Sequence, residues 1–239
     1  ARSGSTLLCQ ALAGSGVAGD PKEFFGAKMA MWMKRWDAHA PDAFVARLIR
    51  ERATPNGVFG AKLLWRQLLG FEAYCRQYPE YADLSRAAIF DRLFPNLRYV
   101  WISRDDKARQ AISYWKARES GVWGQRGPRP TIPLKTPEFD FAGIDALFQT
   151  VLAEEAAIDR YCAENGIKPH RVVYEALARD YAPTTRAALT FLGIPDADTL
   201  PIADPRTQKL ADAESDRWAE RFREMQARPT APEAAGPRS

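Results

Sequence analysis

Apolar positions along this chain fall into short unbroken runs and longer stretches with helical spacing, divided by turns that carry Gly and Pro. The clearest strand is Arg98–Ser103, where Tyr99, Val100, Trp101 and Ile102 form a continuous apolar run, as in a strand covered on both faces. Shorter strands are expected at Val58–Leu64, interrupted by Gly60, and at Arg171–Tyr174. Helices are expected at Thr6–Ala13, ended near Gly14 and Gly16, then at Asp42–Arg52, Arg66–Arg76 and Tyr81–Phe94. Further helices should follow Arg104 as far as Arg118, run from Phe141 to Asn165 with Gly166 closing the last turn, and span Glu175–Leu192 with a break at Pro183. Glu214–Ala227 is the last amphipathic helix.

Gly19–Phe25, with Pro21, reads as a loop, and Thr54-Pro55-Asn56-Gly57 as a turn. Gly121–Pro137 is rich in Gly, Pro and basic residues, a composition found in active-site lids and in disordered segments. Met29, Met31, Trp32, Met33 and Trp36 make an apolar, aromatic-rich face. It would pack on the core, on a partner subunit in a homodimer, or against substrate. The tail 228–239 has three prolines and few large apolar residues, and is expected to be disordered. Short apolar strands alternating with helices predict an α/β fold, a mostly parallel sheet covered by helices on both faces, in one domain over residues 1–227. In such folds ligands sit beyond the C-terminal ends of the strands.

Composition narrows the function. Lys and Arg number 34 against 30 Asp and Glu, a net charge of +4, in 239 residues. That excess suits a small anionic ligand and is too slight and scattered for nucleic acid. Cys9, Cys75 and Cys162 are far apart and form no CxxC pair, which argues against zinc and dithiol chemistry and for a reducing, cytoplasmic compartment. No stretch reaches 18 continuous apolar residues, so no membrane span is expected, and no charged segment precedes an apolar run as in a secretory signal.

The candidate chemistry starts at Arg2-Ser3-Gly4-Ser5-Thr6, just before an expected helix. Small residues let backbone N–H groups converge on an anion, the helix N-terminus adds partial positive charge, and Arg2 and the hydroxyls add donors. The alternative is a plain Ser/Thr helix cap. The GxxxxGK[ST] pattern of NTPases is absent, which disfavours an NTP-dependent kinase.

This loop, continued by Leu7-Leu8, resembles the 5′-phosphosulfate loop of sulfotransferases that use PAPS (3′-phosphoadenosine-5′-phosphosulfate), and more closely the bacterial trehalose 2-sulfotransferase family. Matching segments follow in order: residues 16–25, with Gly19-Asp20-Pro21-Lys22-Glu23-Phe24-Phe25; residues 55–65, with Phe59-Gly60-Ala61-Lys62; residues 104–123, with Gln110-Ala111-Ile112-Ser113-Tyr114-Trp115; and Ser215-Asp216-Arg217-Trp218. Residues 26–54 and 66–97 match least, and Asp20 stands where the family usually has Glu. The family carries a strand immediately before the loop, so one is expected upstream of Ala1.

The resemblance implies a P-loop-like three-layer fold and transfer of a sulfuryl group from PAPS, without a metal, to a carbohydrate hydroxyl of trehalose or a related glycoside or glycolipid. It implies that Arg2, Ser3, Gly4, Ser5 and Thr6 hold the 5′-phosphosulfate, and that Arg104 and Ser113 take the 3′-phosphate. Lys62 is assigned to the sulfuryl or substrate oxygens and Lys209 to the nucleotide phosphate. Asp20 and Glu23 are placed at the acceptor. Glu23 is the candidate base, its carboxylate dried and its pKa raised by Phe24 and Phe25. His39 and His170 are expected at the surface. Trp65, Trp115 and Trp123 would wall the site or pack in the core. A non-catalytic nucleotide- or sulfate-binding module is the competing reading.

Overall fold

The apolar run around Trp101 forms β1 (Val100–Ser103), which pairs in parallel with β2 (His170–Val173), Val100 opposite His170 and Ser103 opposite Val173. The computed structural model describes residues 1–123, 135–205 and 213–228. The helices are α1 (Ser5–Gly14), α2 (Met29–Trp36), α3 (Pro41–Arg52), α4 (Trp65–Cys75), α5 (Pro79–Ala82), α6 (Arg86–Leu93), α7 (Lys107–Ser120), α8 (Phe141–Glu164), α9 (Tyr174–Arg179), α10 (Tyr181–Phe191) and α11 (Ala213–Gln226). The fold is therefore mixed, helices with a small parallel sheet. None of the described helices is long and apolar enough to cross a membrane.

Three expectations change. Val58–Leu64 is not a strand: its pairing with 19–25 is confined to the Lys22–Ala61 bridge and the Lys62 N–H bond to the Lys22 carbonyl at 2.9 Å. Pro21 has no N–H to extend that ladder and packs so tightly on Gly60 that a Cβ there would lie 2.8 Å from its ring. Tyr81–Phe94 splits into α5 and α6, because the Ser85 side chain caps α6 by accepting from the Ala88 N–H at 3.2 Å. The break in 175–192 falls at Asp180, and Pro183 lies in the first turn of α10, where its missing N–H breaks no helical bond. Residues 124–134 of the expected long loop, and the tail from 229, lie outside the described residues.

The chain forms two compact units. The first holds Ala1, Ser3–Asp105 and the described part of 153–208; the second holds Arg2, Asp106–Leu152 and α11. The first has two apolar centres. One gathers Phe24, Phe25, Phe44, Phe71, Phe90 and Phe94 with α2, α3, α4 and α6 around them. The other packs Leu8 and Leu12 of α1 with Val172 of β2, Leu177 of α9 and Leu189 of α10. The apolar α2 face joins the first centre through Met33, Trp32 and Trp36, leaving Met31 half exposed. In the second unit Ile112 and Trp115 of α7 pack with Ile144 of α8 and Phe222 of α11. Ser215, Asp216 and Trp218 bind α11 to α7: Lys116 donates to Ser215 Oγ at 2.9 Å and lies 4.7 Å from the Trp218 ring centre, and Arg109 meets Asp216 at 2.7 Å.

Candidate active site

Gly4 caps α1 with φ of +85°, a left-handed conformation that glycine takes without steric cost. Its carbonyl accepts from the Leu7 N–H at 2.9 Å, which starts the helix. No side chain caps this end, so the first backbone N–H groups of α1 have no side-chain acceptor from the cap residue. The alternative reading, a plain Ser/Thr cap, gives way to a glycine turn. Ser3, Ser5 and Thr6 are all partly exposed beside it.

A residue that sequence reasoning overlooked sits against this turn. Tyr174 opens α9 directly after β2, and a Cβ on Gly4 would fall 2.2 Å from its ring. The same ring carries Arg104, whose guanidinium lies 4.8 Å from the ring centre. Glu175 then joins the two strand ends: its carboxylate accepts from the Asp105 N–H at 3.0 Å and lies 3.7 Å from Arg104 Nε. Gly4, in the expected phosphate loop, and the Arg104 cation are therefore brought together through Tyr174, at the C-terminal ends of both parallel strands. The signal available in the sequence was position: Tyr174 and Glu175 follow a strand just as Arg104 does.

A second cluster forms where 19–25 meets 58–64. Gly19 lets the two segments touch, since a Cβ on it would lie 2.5 Å from the Gly60 nitrogen. Glu23 Oε1 meets Lys62 Nζ at 2.9 Å, and Glu23 Oε2 accepts from Gln67 Nε2 at 2.8 Å. Partial burial pushes the Glu23 pKa up. Hydrogen bonds from Lys62 and Gln67, with the charges of Lys62 and Arg66, outweigh this and hold it below the ordinary value. The expected rise is thus reversed. Phe24 and Phe25 turn into the core, while the Glu23 side chain stays 41% exposed. Asp20 pairs with Lys22 in the same segment.

In the second unit Ser113 accepts from Arg2 Nε at 3.0 Å, and Arg2 also donates to the Trp123 carbonyl at 2.7 Å. Trp115 is core, its Nε1 donating to the Glu138 carbonyl, and Trp65 is partly buried against Tyr161, whereas Trp123 is half exposed. His39 is exposed; His170 is half-buried instead of lying at the surface, stacked on Phe191, and burial lowers its pKa. Lys209 lies outside the described residues. A cavity of about 320 Å³ lined by Asp91, Arg98, Tyr99, Lys168 and Phe191 opens at the other, N-terminal end of the strands and includes none of the predicted site residues.

Comparison with known proteins decides the family, since the profile of the Stf0 sulphotransferases matches residues 1–225. The chain belongs to the Stf0 sulphotransferase family. It is 30% identical over 248 residues, 93% of this chain and 91% of the relative, to the trehalose 2-sulfotransferase of Mycobacterium tuberculosis (strain ATCC 35801 / TMC 107 / Erdman). Identity to the trehalose 2-sulfotransferase of Mycolicibacterium smegmatis (strain ATCC 700084 / mc(2)155) is 29% over the same shares of each chain. Family membership makes this chain a sulfotransferase and turns the competing readings, a kinase or a non-catalytic module, aside.

Proposed function

We propose that this enzyme transfers the sulfuryl group of PAPS to a hydroxyl of a carbohydrate, with trehalose or a related glycoside or glycolipid as acceptor, inside the P-loop-like fold that the family resemblance implies. The observation that carries the reading is the contact of Gly4 and Arg104 with one ring, Tyr174. It sets an uncapped helix N-terminus and a cation beside each other, donors suited to a ligand with several anionic groups. The residues fit PAPS: Ser3–Thr6 for the 5′-phosphosulfate and Arg104 for the 3′-phosphate, with Ser113 assigned to that phosphate by the resemblance alone. The carbohydrate acceptor follows the names of the two relatives. The three free cysteines favour a cytoplasmic location.

In the transfer, the acceptor oxygen bonds to sulfur as the bond from sulfur to the 5′-phosphate oxygen breaks, and the electron pair leaves with that phosphate. The hydroxyl proton passes to Glu23. Its lowered pKa keeps the carboxylate ionised at neutral pH, the form that can accept it. Lys62 holds Glu23 at 2.9 Å, so it supports the base and brings a positive charge to the acceptor side of the reaction.

Glu23→Gln retains the shape and the contact with Lys62 but cannot take a proton as a carboxylate does. Turnover with PAPS and trehalose should fall by about 10²–10⁴-fold while PAPS affinity, read by calorimetry, stays near wild type. Turnover above about a third of wild type, far outside that range, would remove Glu23 from the role.

A further inference from the structure

Gln67, in the first turn of α4, uses one amide for two tasks. Its Oε1 accepts from the Leu64 backbone N–H at 2.9 Å, and its Nε2 donates to Glu23 Oε2 at 2.8 Å. The first bond commits the oxygen to the backbone, so the amide presents its N–H₂ end to Glu23. With Lys62 on Oε1 at 2.9 Å, each carboxylate oxygen has its own fixed donor, and the plane of the carboxylate is set. Gly26 closes the arrangement from the other side. A Cβ there would lie 2.6 Å from Gln67 Nε2, so any side chain at 26 would push the amide off Glu23. Clearance, and not backbone conformation, is what this glycine supplies.

We propose that Gln67 is a positioning residue of the transfer reaction, holding the Glu23 carboxylate in one orientation toward the acceptor hydroxyl, and that Gly26 provides the space this requires. The inference rests on the reading of Glu23 as the base. Its consequences go beyond geometry. The groups facing Glu23 are Lys62 from the 58–64 segment and Gln67 and Arg66 from α4, with the Asp20–Lys22 pair on its own segment. Partial burial alone would raise the Glu23 pKa, so losing the Gln67 bond removes part of what opposes burial and moves the titration upward. A residue that merely filled space would leave that titration where it is.

The test uses the full chain as Gln67→Met, Gly26→Ala, Glu23→Gln and wild type. Two quantities are read: the carboxyl ¹³C titration of Glu23 in glutamate-labelled protein, which needs no acceptor, and kcat and KM with PAPS and trehalose. Both Gln67→Met and Gly26→Ala should shift the titration up toward the ordinary glutamate value. Each should lower kcat by about 10- to 100-fold, the scale of one hydrogen bond to a charged group, with PAPS affinity unchanged. PAPS affinity also shows that each variant is folded. An unmoved titration and wild-type kcat in Gln67→Met, while Glu23→Gln is inactive, overturns the role of Gln67 and leaves the base reading standing. The same result in Gly26→Ala alone overturns the clearance argument. Wild-type turnover in Glu23→Gln overturns the base reading, and this inference with it.

Discussion

Alanine at Gly4 meets two separate penalties, and a second glycine allows them to be measured apart. Gly4 has φ of +85° and a tyrosine ring where a Cβ would go, 2.2 Å from Tyr174 Cδ2. Gly16 has φ of +72° and nothing within 4 Å of its Cβ position. Gly16→Ala therefore carries only the left-handed backbone cost, about 1 kcal/mol. In a chain of this size that lowers Tm by about 2–4 °C. Gly4→Ala adds the displacement of the Tyr174 ring, an overpacking cost of about 1–3 kcal/mol. Its total of about 2–4 kcal/mol predicts a Tm drop two to four times larger. The ring cannot move alone, because the Arg104 guanidinium lies over it and Glu175 follows it in α9. Donor binding should accordingly weaken in Gly4→Ala and stay intact in Gly16→Ala. Differential scanning calorimetry and titration with PAPS read both quantities. Equal losses of stability in the two variants, or full PAPS affinity in Gly4→Ala, would refute the packing of the loop on Tyr174.

Arg104→Ala should weaken PAPS by about tenfold or more, the worth of one charge-assisted phosphate contact, and affect adenosine 5′-phosphosulfate, which lacks the 3′-phosphate, much less; equal losses in calorimetry would take Arg104 off that phosphate. Lys62→Met removes a hydrogen bond and a charge that lower the Glu23 pKa, so that pKa rises. A base active as carboxylate loses activity as pH falls through its pKa. The acidic limb of kcat/KM should thus lie below the ordinary glutamate value in wild type and move to higher pH in Lys62→Met; superimposable limbs would show that Lys62 does not set the charge of Glu23.

Some of this architecture was legible because the chemistry is local. The short continuous run Tyr99–Ile102 reads as a strand and becomes β1, although all four β1 residues stay half-buried and not covered on both faces as expected, and Ser3-Gly4-Ser5 reads as a tight entry to α1. What failed was non-local. Periodicity runs on through Leu84 and Ser85, so a helix break there shows only in the cap bond to Ala88. The flanking phenylalanines suggested a dry Glu23. Sequence adjacency does not fix where side chains go, however: Phe24 and Phe25 both went to the core while the Glu23 carboxylate met Lys62 and Gln67 from distant segments. Tyr174 was passed over because it reads as the last residue of the expected strand Arg171–Tyr174; only its contacts with Gly4 and Arg104 bring it to the candidate site.

A carboxylate held below its ordinary pKa is a weak base, and a sugar hydroxyl is a far weaker acid, so proton transfer before attack would be steeply uphill. The mismatch is resolved if the proton moves as the new bond forms: an oxygen giving electron density to sulfur holds its proton ever less tightly, until even a weak carboxylate takes it. The paired arrangement of Glu23 and Lys62 suits that order of events. Before reaction the pair keeps the carboxylate charged and fixed. Once the proton has moved, Glu23 is neutral and the attraction on Lys62 Nζ falls, at the stage when negative charge has gathered on the departing phosphate. The ammonium has three donors, and Glu23 needs only one of them. On the proposed reading, then, the ammonium that fixes the base before reaction is released from it as negative charge gathers on the departing phosphate, and the timing of the proton is what lets a weak carboxylate serve.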